Sequence, residues 1–338
     1  MPTTRAAAVL VLAVAAALHG GGSRPAATAP PELRILLFTK TAGFRHDSIP
    51  TAVQALRDLG ARNRIDVDAT EDAAVFTDRR LRRYDVVVFL LTTGDILDDR
   101  QQAAFQRYIR SGGGYAGVHS ASDTEHDWPW YGGLVGAYFR AHPQIQQATV
   151  VVSGPRDAST RGLPRLWQRT DEWYGFATSP RSSVRVLATL DEASYAPGDS
   201  AMGGDHPIAW SHLYEGGRAW YTAGGHTTES YAEPLFRSHV LGGILWAAGP
   251  PVVRSLRGVA RGGRLVVSGT EATCIRCRAE LRVRLGGRSV VAPLRIEGGG
   301  TFGGRTAVLP RGRWAYAVTV RSDASGLRTT RAGVVRIR

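Results

Sequence analysis

The sequence predicts an α/β domain with a doubly wound sheet over residues 31–250, followed by a small all-β domain over residues 251–338. Three observations support this prediction. Short apolar runs, typical of parallel strands buried on both faces, alternate with amphipathic helical segments. Loops rich in glycine and polar residues follow several of those runs, as at the ligand-binding edge of an open α/β sheet. Beyond Pro251 the hydrophobic periodicity changes to two, which indicates antiparallel strands.

The first thirty residues are predicted to be an export signal. Arg5 precedes an apolar run at residues 6–18, and small residues and prolines follow through Pro30. The run is too short to span a bilayer, and no other stretch is long and apolar enough for a membrane helix. We therefore expect a secreted protein without a membrane span.

The α/β domain is predicted to open with a buried strand at residues 33–38. The loop that follows, residues 39–48, has many functional groups, including Arg45 and His46. A helix should begin near Pro50, with Ser48 as its cap, and end at Gly60, because proline suits a first turn and glycine suits a helix end. Further strands are predicted at residues 65–69, 85–91, 114–118, 147–152, 184–190 and 218–222.

A second helix is predicted at residues 99–111, with Asp98 and Gln101 forming a capping box and Gly112 ending the helix. The strand after it leads into His119, within a Gly-x-His-x-Ala turn. This turn resembles a nucleophile elbow with histidine in the nucleophile's position. We expect it to present the imidazole to a cleft, and the alternative is a glycine-rich turn whose histidine bonds only locally.

Several titratable side chains are predicted to meet at one edge of the sheet. The loops after the first, third and fourth strands share that edge in a doubly wound fold, so Arg45, His46, His119 and Asp123 should lie close together. The predicted strand at residues 218–222 is likewise followed by glycines and a histidine, His226. A helix at residues 234–248 then completes the domain.

Aromatic residues are concentrated at residues 126–142, which we interpret as a surface excursion beside the site. Trp128 lies in this segment, and Trp173 and Tyr174 follow the carboxylates Asp171 and Glu172. Exposed aromatic rings suit stacking on sugars, although such rings can also serve only to pack a loop.

The basic charge belongs to the C-terminal domain. Residues 251–338 contain 18 arginines and four acidic residues, a net charge of +14, so the first 250 residues contribute −1 to the chain's +13. The sequence has no recognisable nucleic-acid-binding motif, and we therefore expect an anionic cell-wall polymer rather than nucleic acid as the partner. A solvated basic face without a partner is the alternative.

The all-β domain is predicted to be an immunoglobulin-like sandwich, because short alternating strands are separated by glycine-rich turns. Cys274 and Cys277 are the only cysteines in the chain. A zinc site at this pair would lack further ligands, so a local disulfide is the favoured interpretation in an exported protein.

Five segments together resemble the ThuA-like family, named from trehalose utilisation. They read TKTAGFRH at 39–46, GVHSASD at 117–123, DEWY at 171–174, HP at 206–207 and GHT at 225–227, and the resemblance covers residues 33–249. It implies a flavodoxin-like domain related to class I glutamine amidotransferases, and a role in carbohydrate metabolism. Those amidotransferases need a thiolate at the elbow, where this chain has His119. We therefore expect no glutamine amidotransferase activity.

Two classes of function fit these residues. The first is a hydrolase or lyase acting on a glycoside or keto-sugar, in which His119 and His46 act as acid, base or ligand and Asp123 or Glu172 is the carboxylate partner. The second is a non-catalytic sugar-binding or cell-surface-binding protein. The predicted substrate-binding residues are Arg45, Trp128, Trp173, Tyr174, His206 and His226. No cofactor is indicated beyond a divalent metal, for which the candidate ligands are His46, His119, His206 and His226.

Overall fold

The computed structural model describes residues 33–154, 157–272, 277–285, 288–297, 301–323 and 325–338. The predicted export signal lies outside these residues. Two buried hydrophobic clusters, one formed by residues before position 248 and one by residues after position 252, underlie two β-sheets. Among the described residues, no helix has the length and apolar character needed to cross a membrane.

The N-terminal part of the chain alternates strands and helices. Its strands are β1 (Leu33–Phe38), β2 (Ile65–Thr70), β3 (Val86–Leu90), β4 (Gly114–Val118), β5 (Phe139–Ala141), β6 (Gln146–Val152), β7 (Leu166–Asp171), β8 (Gly175–Phe176), β9 (Arg185–Asp191), β10 (His206–Tyr214) and β11 (Gly217–Thr222). Its helices are α1 (Ile49–Asn63), α2 (Asp78–Leu81), α3 (Asp99–Arg110), α4 (Pro129–Val135), α5 (Thr228–Ala232) and α6 (Pro234–Ala247).

Nine of these strands form one sheet, in the order β2-β1-β3-β4-β11-β10-β9-β6-β7. The strands from β2 to β11 pair in parallel, and those from β11 to β7 pair antiparallel. Every residue of β3 and β4 is buried, so both faces of the parallel part are covered. The predicted mixed α/β fold with a large central sheet is confirmed.

The three helix predictions met different outcomes. The helix predicted at residues 234–248 is α6. Helix α3 has the predicted capping box, in which Asp98 accepts from the Gln101 backbone and the Gln101 side chain accepts from the Asp98 backbone. For α1 the predicted start near Pro50 is confirmed, with Ser48 at the N-cap position, although the Ser48 side chain makes no capping bond. The predicted end was wrong, because the helix continues past Gly60 to Asn63. Gly60 instead allows a close approach to β2, since a Cβ there would lie 2.5 Å from Val67 Cγ2.

The aromatic segment at residues 126–142 is not simply a surface excursion. It contains α4 and β5, and the side chains of Tyr131, Leu134 and Val135 are buried in the core. The Tyr131 hydroxyl donates to Ala121 O at 2.6 Å, which ties α4 to the turn after β4. The aromatic residues of this segment therefore pack largely against the domain itself.

The C-terminal part of the chain contains seven antiparallel strands. They are β12 (Val252–Arg261), β13 (Arg264–Ala272), β14 (Cys277–Leu285), β15 (Arg288–Glu297), β16 (Thr301–Arg305), β17 (Gly312–Ser322) and β18 (Arg328–Ile337). Their order is β12-β13-β16-β15-β14-β17-β18, and the two end strands also approach each other. The result is a nearly closed antiparallel sandwich or barrel, which confirms the predicted all-β domain at this level. Cys277 is disulfide-bonded, whereas Cys274 lies outside the described residues.

Candidate metal centre

Four side chains converge at the carboxyl ends of the strands. His46 lies in the loop after β1, His119 directly after β4, Glu172 directly after β7 and His226 after β11. Each offers one ligand atom, and the four atoms lie within 4.8 Å of one another. Because β1, β4 and β11 belong to one parallel set, their carboxyl ends share an edge. The predicted meeting of His46 and His119 at this edge is what the structure shows.

Three of the ligand atoms form a tight triangle. His119 Nε2 lies 3.2 Å from His226 Nδ1 and 3.4 Å from Glu172 Oε2, and the last two atoms are 3.1 Å apart. Ligands at about 2.0–2.1 Å in a tetrahedral zinc site are separated from one another by about 3.3–3.4 Å. The spacing of these atoms therefore fits a first-row divalent cation.

His119 is held rigidly by the backbone around it. Its φ of 54° is left-handed, which is uncommon for a residue other than glycine and matches the strained elbow that the sequence indicates. Its Nδ1 donates to Ala223 O at 2.7 Å, so in the neutral ring Nε2 carries the lone pair that faces Glu172, whereas the protonated ring donates to Glu172 from Nε2. The side chain is fully buried, so the expectation of an imidazole presented to an open cleft was wrong. Tyr174 covers the ring, with centroids 4.2 Å apart.

Glu172 carries the negative charge of the centre. Burial raises the pKa of its carboxyl, but hydrogen bonds and charge from His119 and His226 outweigh burial and hold the pKa below its usual value. Its second oxygen, Oε1, lies 3.0 Å from Nδ1 of the partly exposed His142. An ionised carboxylate therefore has one oxygen in the triangle and the other oriented by His142.

Asp171 fixes the loop that carries His226. Its two carboxylate oxygens accept from the backbone N–H groups of Gly225 at 2.8 Å and His226 at 3.0 Å, and it forms an ion pair with Arg169. Burial lowers the pKa of His226, but the hydrogen bond and charge of Glu172 outweigh this effect and raise it. The side chain of His226 is 20% exposed, so the centre is accessible on this side.

His46 completes the group as its most weakly anchored member. Its ring lies 4.9 Å from that of His119 and 5.0 Å from that of His226, centroid to centroid. Its Nδ1 is buried without a hydrogen-bond partner, which is unusual for a polar atom and is consistent with a ligand-binding role. Burial, followed by the neighbouring imidazoles, lowers the pKa of His46 to about 3. The ring is therefore neutral at physiological pH, as a metal ligand must be.

Three other residues expected at the site are not in the triangle. Asp123 pairs with His126 at 3.0 Å and lies outside the group of four. Arg45 forms an exposed ion pair with Glu71 at 2.7 Å, so its guanidinium is already occupied. His206 has both ring nitrogens engaged, with Glu192 Oε1 at 2.7 Å and Tyr174 O at 2.8 Å, and it therefore has no free ligand atom.

The predicted aromatic binding residues also differ from expectation. Trp173 is fully buried and donates to Gln146 O at 2.8 Å, so its ring offers no surface to a ligand. Trp128 stacks on Trp130 with centroids 5.0 Å apart. Tyr174 does lie at the centre, but as a buried ring against His119.

Sequence reasoning missed three residues of the site. His142 contacts Glu172, Asp171 anchors the His226 backbone, and Phe44 is 66% exposed with its ring edge-on to His46 at 4.9 Å. Phe44 lies within the loop that the motif analysis singled out, and Asp171 is adjacent to Glu172, so proximity in sequence was the available signal. The signal for His142 was its place at the end of the aromatic segment at residues 126–142, which was predicted to lie beside the site, and it reaches the site directly after β5.

Comparisons with known proteins identify a family for most of the N-terminal part of the chain. The ThuA family, described as "Trehalose utilisation", matches residues 34–247. A putative ThuA-like protein from Bacteroides uniformis is 22% identical, covers 68% of this chain and 95% of its own, and superposes with a TM-score of 0.57. A second putative ThuA-like protein, from Parabacteroides merdae, is also 22% identical. The match covers 64% of this chain and 90% of the other, with a TM-score of 0.54. These likenesses show the fold. No curated protein matches the chain.

Proposed function

The chain belongs to the ThuA family, which suggests a carbohydrate-related role, and from this premise we propose that it is a metal-dependent hydrolase or lyase of a glycoside or keto-sugar. The observation that carries the proposal is the triangle of His119 Nε2, His226 Nδ1 and Glu172 Oε2, with separations of 3.1–3.4 Å. When the His119 ring is neutral, its Nε2 and Glu172 Oε2 are both acceptors, so a cation between them would relieve their repulsion. His46, with its unpartnered buried nitrogen, is the fourth ligand.

A divalent cation held here would polarise a carbonyl or hydroxyl oxygen of the sugar. The protein's own residues supply the remaining functions. Ala223 and Tyr174 fix the ring of His119, and Asp171 fixes the backbone of His226. The exposed ring of Phe44 offers a flat apolar surface beside His46 on which a sugar can stack.

The carboxylates of the site favour a keto-sugar over direct glycoside hydrolysis. Most glycosidases use two carboxyl groups that flank the scissile bond. Here Glu172 is bonded to histidines, Asp171 accepts two backbone N–H groups and pairs with Arg169, and Asp123 pairs with His126. All three of these carboxyl groups are therefore already engaged, which disfavours that mechanism.

Elimination from a keto-sugar needs only a base and carbonyl activation. The base removes the proton from the carbon next to the carbonyl, the C–O bond to the leaving sugar breaks, and that oxygen takes up a proton. His142 is suited to the proton transfer, because its ring is 44% exposed and its Nδ1 already contacts Glu172. Addition of water to the resulting double bond would complete a net hydrolysis.

We also infer the finer fold assignment. The parallel strands β2-β1-β3-β4-β11 have the 2-1-3-4-5 order of flavodoxin-like sheets, which supports a flavodoxin-like core carrying an antiparallel extension.

Metal analysis coupled to a substrate screen tests the proposal. Purified full-length protein should contain about one divalent metal ion per chain. It should cleave a 3-keto-glycoside faster than the parent glycoside. Glu172→Gln and His226→Ala should each lose metal and activity, whereas the control His126→Ala should keep both, because that exposed residue lies outside the group of four.

The outcomes separate the two classes of function. Wild-type metal content in both site variants would refute the metal centre. Full metal occupancy with sugar binding but no turnover on any glycoside or keto-glycoside would instead identify a non-catalytic sugar-binding protein.

A further inference from the structure

One face of the C-terminal sheet is strongly basic. Along β14, β17 and β18, residues such as Leu281 and Val318 are buried, and the alternate residues point outwards. The outward set on these three strands includes a single acidic residue, Glu280, and the arginines Arg278, Arg282, Arg284, Arg313, Arg321, Arg328 and Arg336. We call these outward positions the arginine face.

The register places like charges directly opposite one another. Arg321 on β17 lies between Arg278 on β14 and Arg328 on β18. Like charges at opposite positions of adjacent strands destabilise a sheet. Arg278 is compensated by Asp323 at 2.7 Å, but Arg321 and Arg328 have no carboxylate within ion-pair distance among the described residues. An anion bound across the row would relieve this repulsion.

A groove crosses the arginine face. Two adjoining cavities of about 570 and 740 Å³ share Arg282, Arg284 and Thr319 in their linings. The outward residues between the arginines are short, among them Ala315 and Ala317, which is why the surface is recessed there. The groove spans β14, β17 and β18, three adjacent strands, and is therefore wide enough for an extended polymer rather than a single ion.

The groove does not recognise a ligand through stacking. Residues 251–338 contain only three aromatic residues, Phe302, Trp314 and Tyr316, and all three are buried. Neutral sugars and unpaired bases are both commonly bound on exposed aromatic rings, whereas Tyr316, which borders one of the two cavities, is only 7% exposed. Arginine, in contrast, is well matched to carboxylates and phosphates through paired hydrogen bonds.

We propose that the arginine face binds an acidic polysaccharide through its carboxylate groups. The interaction is independent of the metal centre, because it involves only the C-terminal sheet. Recessed alanines and threonines accommodate the polymer backbone, and Arg284, Arg321 and Arg328 provide unpaired guanidinium groups along its path.

Binding of the full-length protein to polygalacturonate tests the proposal. The triple variant Arg284→Gln, Arg321→Gln, Arg328→Gln removes three charges from the face. The control triple variant Arg57→Gln, Arg62→Gln, Arg82→Gln removes the same charge from exposed positions of the other domain. Affinity is measured at low and at moderate salt, with neutral dextran and duplex DNA as comparison polymers.

We expect the first variant to bind polygalacturonate about tenfold more weakly and the control to bind within about twofold of the wild type, as for three exposed ion pairs. Wild-type binding should weaken as salt is added. The melting temperature of the first variant should be equal or higher, since a repulsive row is relieved, which excludes unfolding as the cause.

Equal losses in both variants, or equal binding to dextran, would overturn the proposal. Tighter binding to duplex DNA than to polygalacturonate at the same salt would also overturn it, in favour of a phosphate-binding face. Metal content is read in the same samples and should be unchanged, so this test fails or succeeds separately from the test of the metal centre.

Discussion

Replacing His119 by Asn separates the two roles of its ring nitrogens. In the wild type, His119 Nδ1 lies 2.7 Å from Ala223 O. The side-chain amide nitrogen of asparagine reaches the position of Nδ1, so the variant can keep donating to Ala223 O. Nothing replaces Nε2, the atom that lies 3.4 Å from Glu172 Oε2 and 3.2 Å from His226 Nδ1. The variant therefore removes one ligand of the metal centre and retains the structural anchor.

The two effects differ in size. In the metal-free protein, loss of part of the ring beside Tyr174 should cost about 1 kcal/mol, partly offset because asparagine adopts the left-handed conformation at φ 54° more readily. Removing a residue that only supports a ligand typically weakens metal affinity by about 10- to 100-fold. Loss of a direct ligand should cost at least the upper end of that range, about 100-fold or more. At a metal concentration about 1,000 times the wild-type Kd, a 100-fold loss lowers metal-dependent stabilisation from about 4.1 to about 1.4 kcal/mol.

Urea unfolding with and without added Zn²⁺, combined with calorimetric titration of the metal, measures both quantities. His119→Gln is the reciprocal control, because its longer amide reaches towards Nε2 and leaves Ala223 O without its donor, at a cost of about 1–3 kcal/mol in the metal-free protein. An Asn variant that keeps wild-type metal affinity while its metal-free stability falls by several kcal/mol would refute the reasoning and make His119 a purely structural residue.

Two further predictions concern His239 and Asp171. His239 is a buried residue of α6 whose ring nitrogens contact Ser159 O at 2.9 Å and Thr222 Oγ1 at 3.1 Å. Burial lowers the pKa of His239 to about 4. Between pH 6.5 and 4 the His239 ring is therefore protonated only in the unfolded chain, so the free energy of unfolding should fall as the pH falls through that window. The loss should reach about 3 kcal/mol, and His239→Gln should show a smaller loss in urea unfolding from pH 7.5 to 5; identical slopes would contradict this. Asp171→Asn weakens the acceptor of the His226 backbone and should reduce metal affinity about 10- to 100-fold by titration, whereas unchanged affinity would mean that the His226 loop is held without it.

The sequence was most informative where local rules govern structure. Apolar runs identified β1, β3 and β4, and Asp98 with Gln101 identified the start of α3, because burial and capping depend on nearby residues. The antiparallel pairing of β6, β7, β9 and β10 was not predicted, since strand direction depends on contacts between residues distant in sequence.

The same distinction applies to the metal centre. His46, His119 and His226 were predictable because each follows a strand of one parallel set. His206 is also a histidine near these strands, yet Glu192 and Tyr174 occupy its ring nitrogens. Only the tertiary structure reveals those partners. Burial likewise decides that Trp173 is a core residue, which its neighbours in the sequence do not indicate.

The four ligands are widely spaced along the chain, which has a consequence for biosynthesis. His46 and His119 emerge from the ribosome before the carboxylate of Glu172, and His226 emerges last of the four. At about 5–20 residues per second, the interval between His119 and His226 lasts about 5–20 s. During that interval the nascent chain holds only part of a chelating group. Stable loading of the proposed centre would therefore follow synthesis of nearly the whole N-terminal domain, and the compartment in which folding is completed would set the ion acquired.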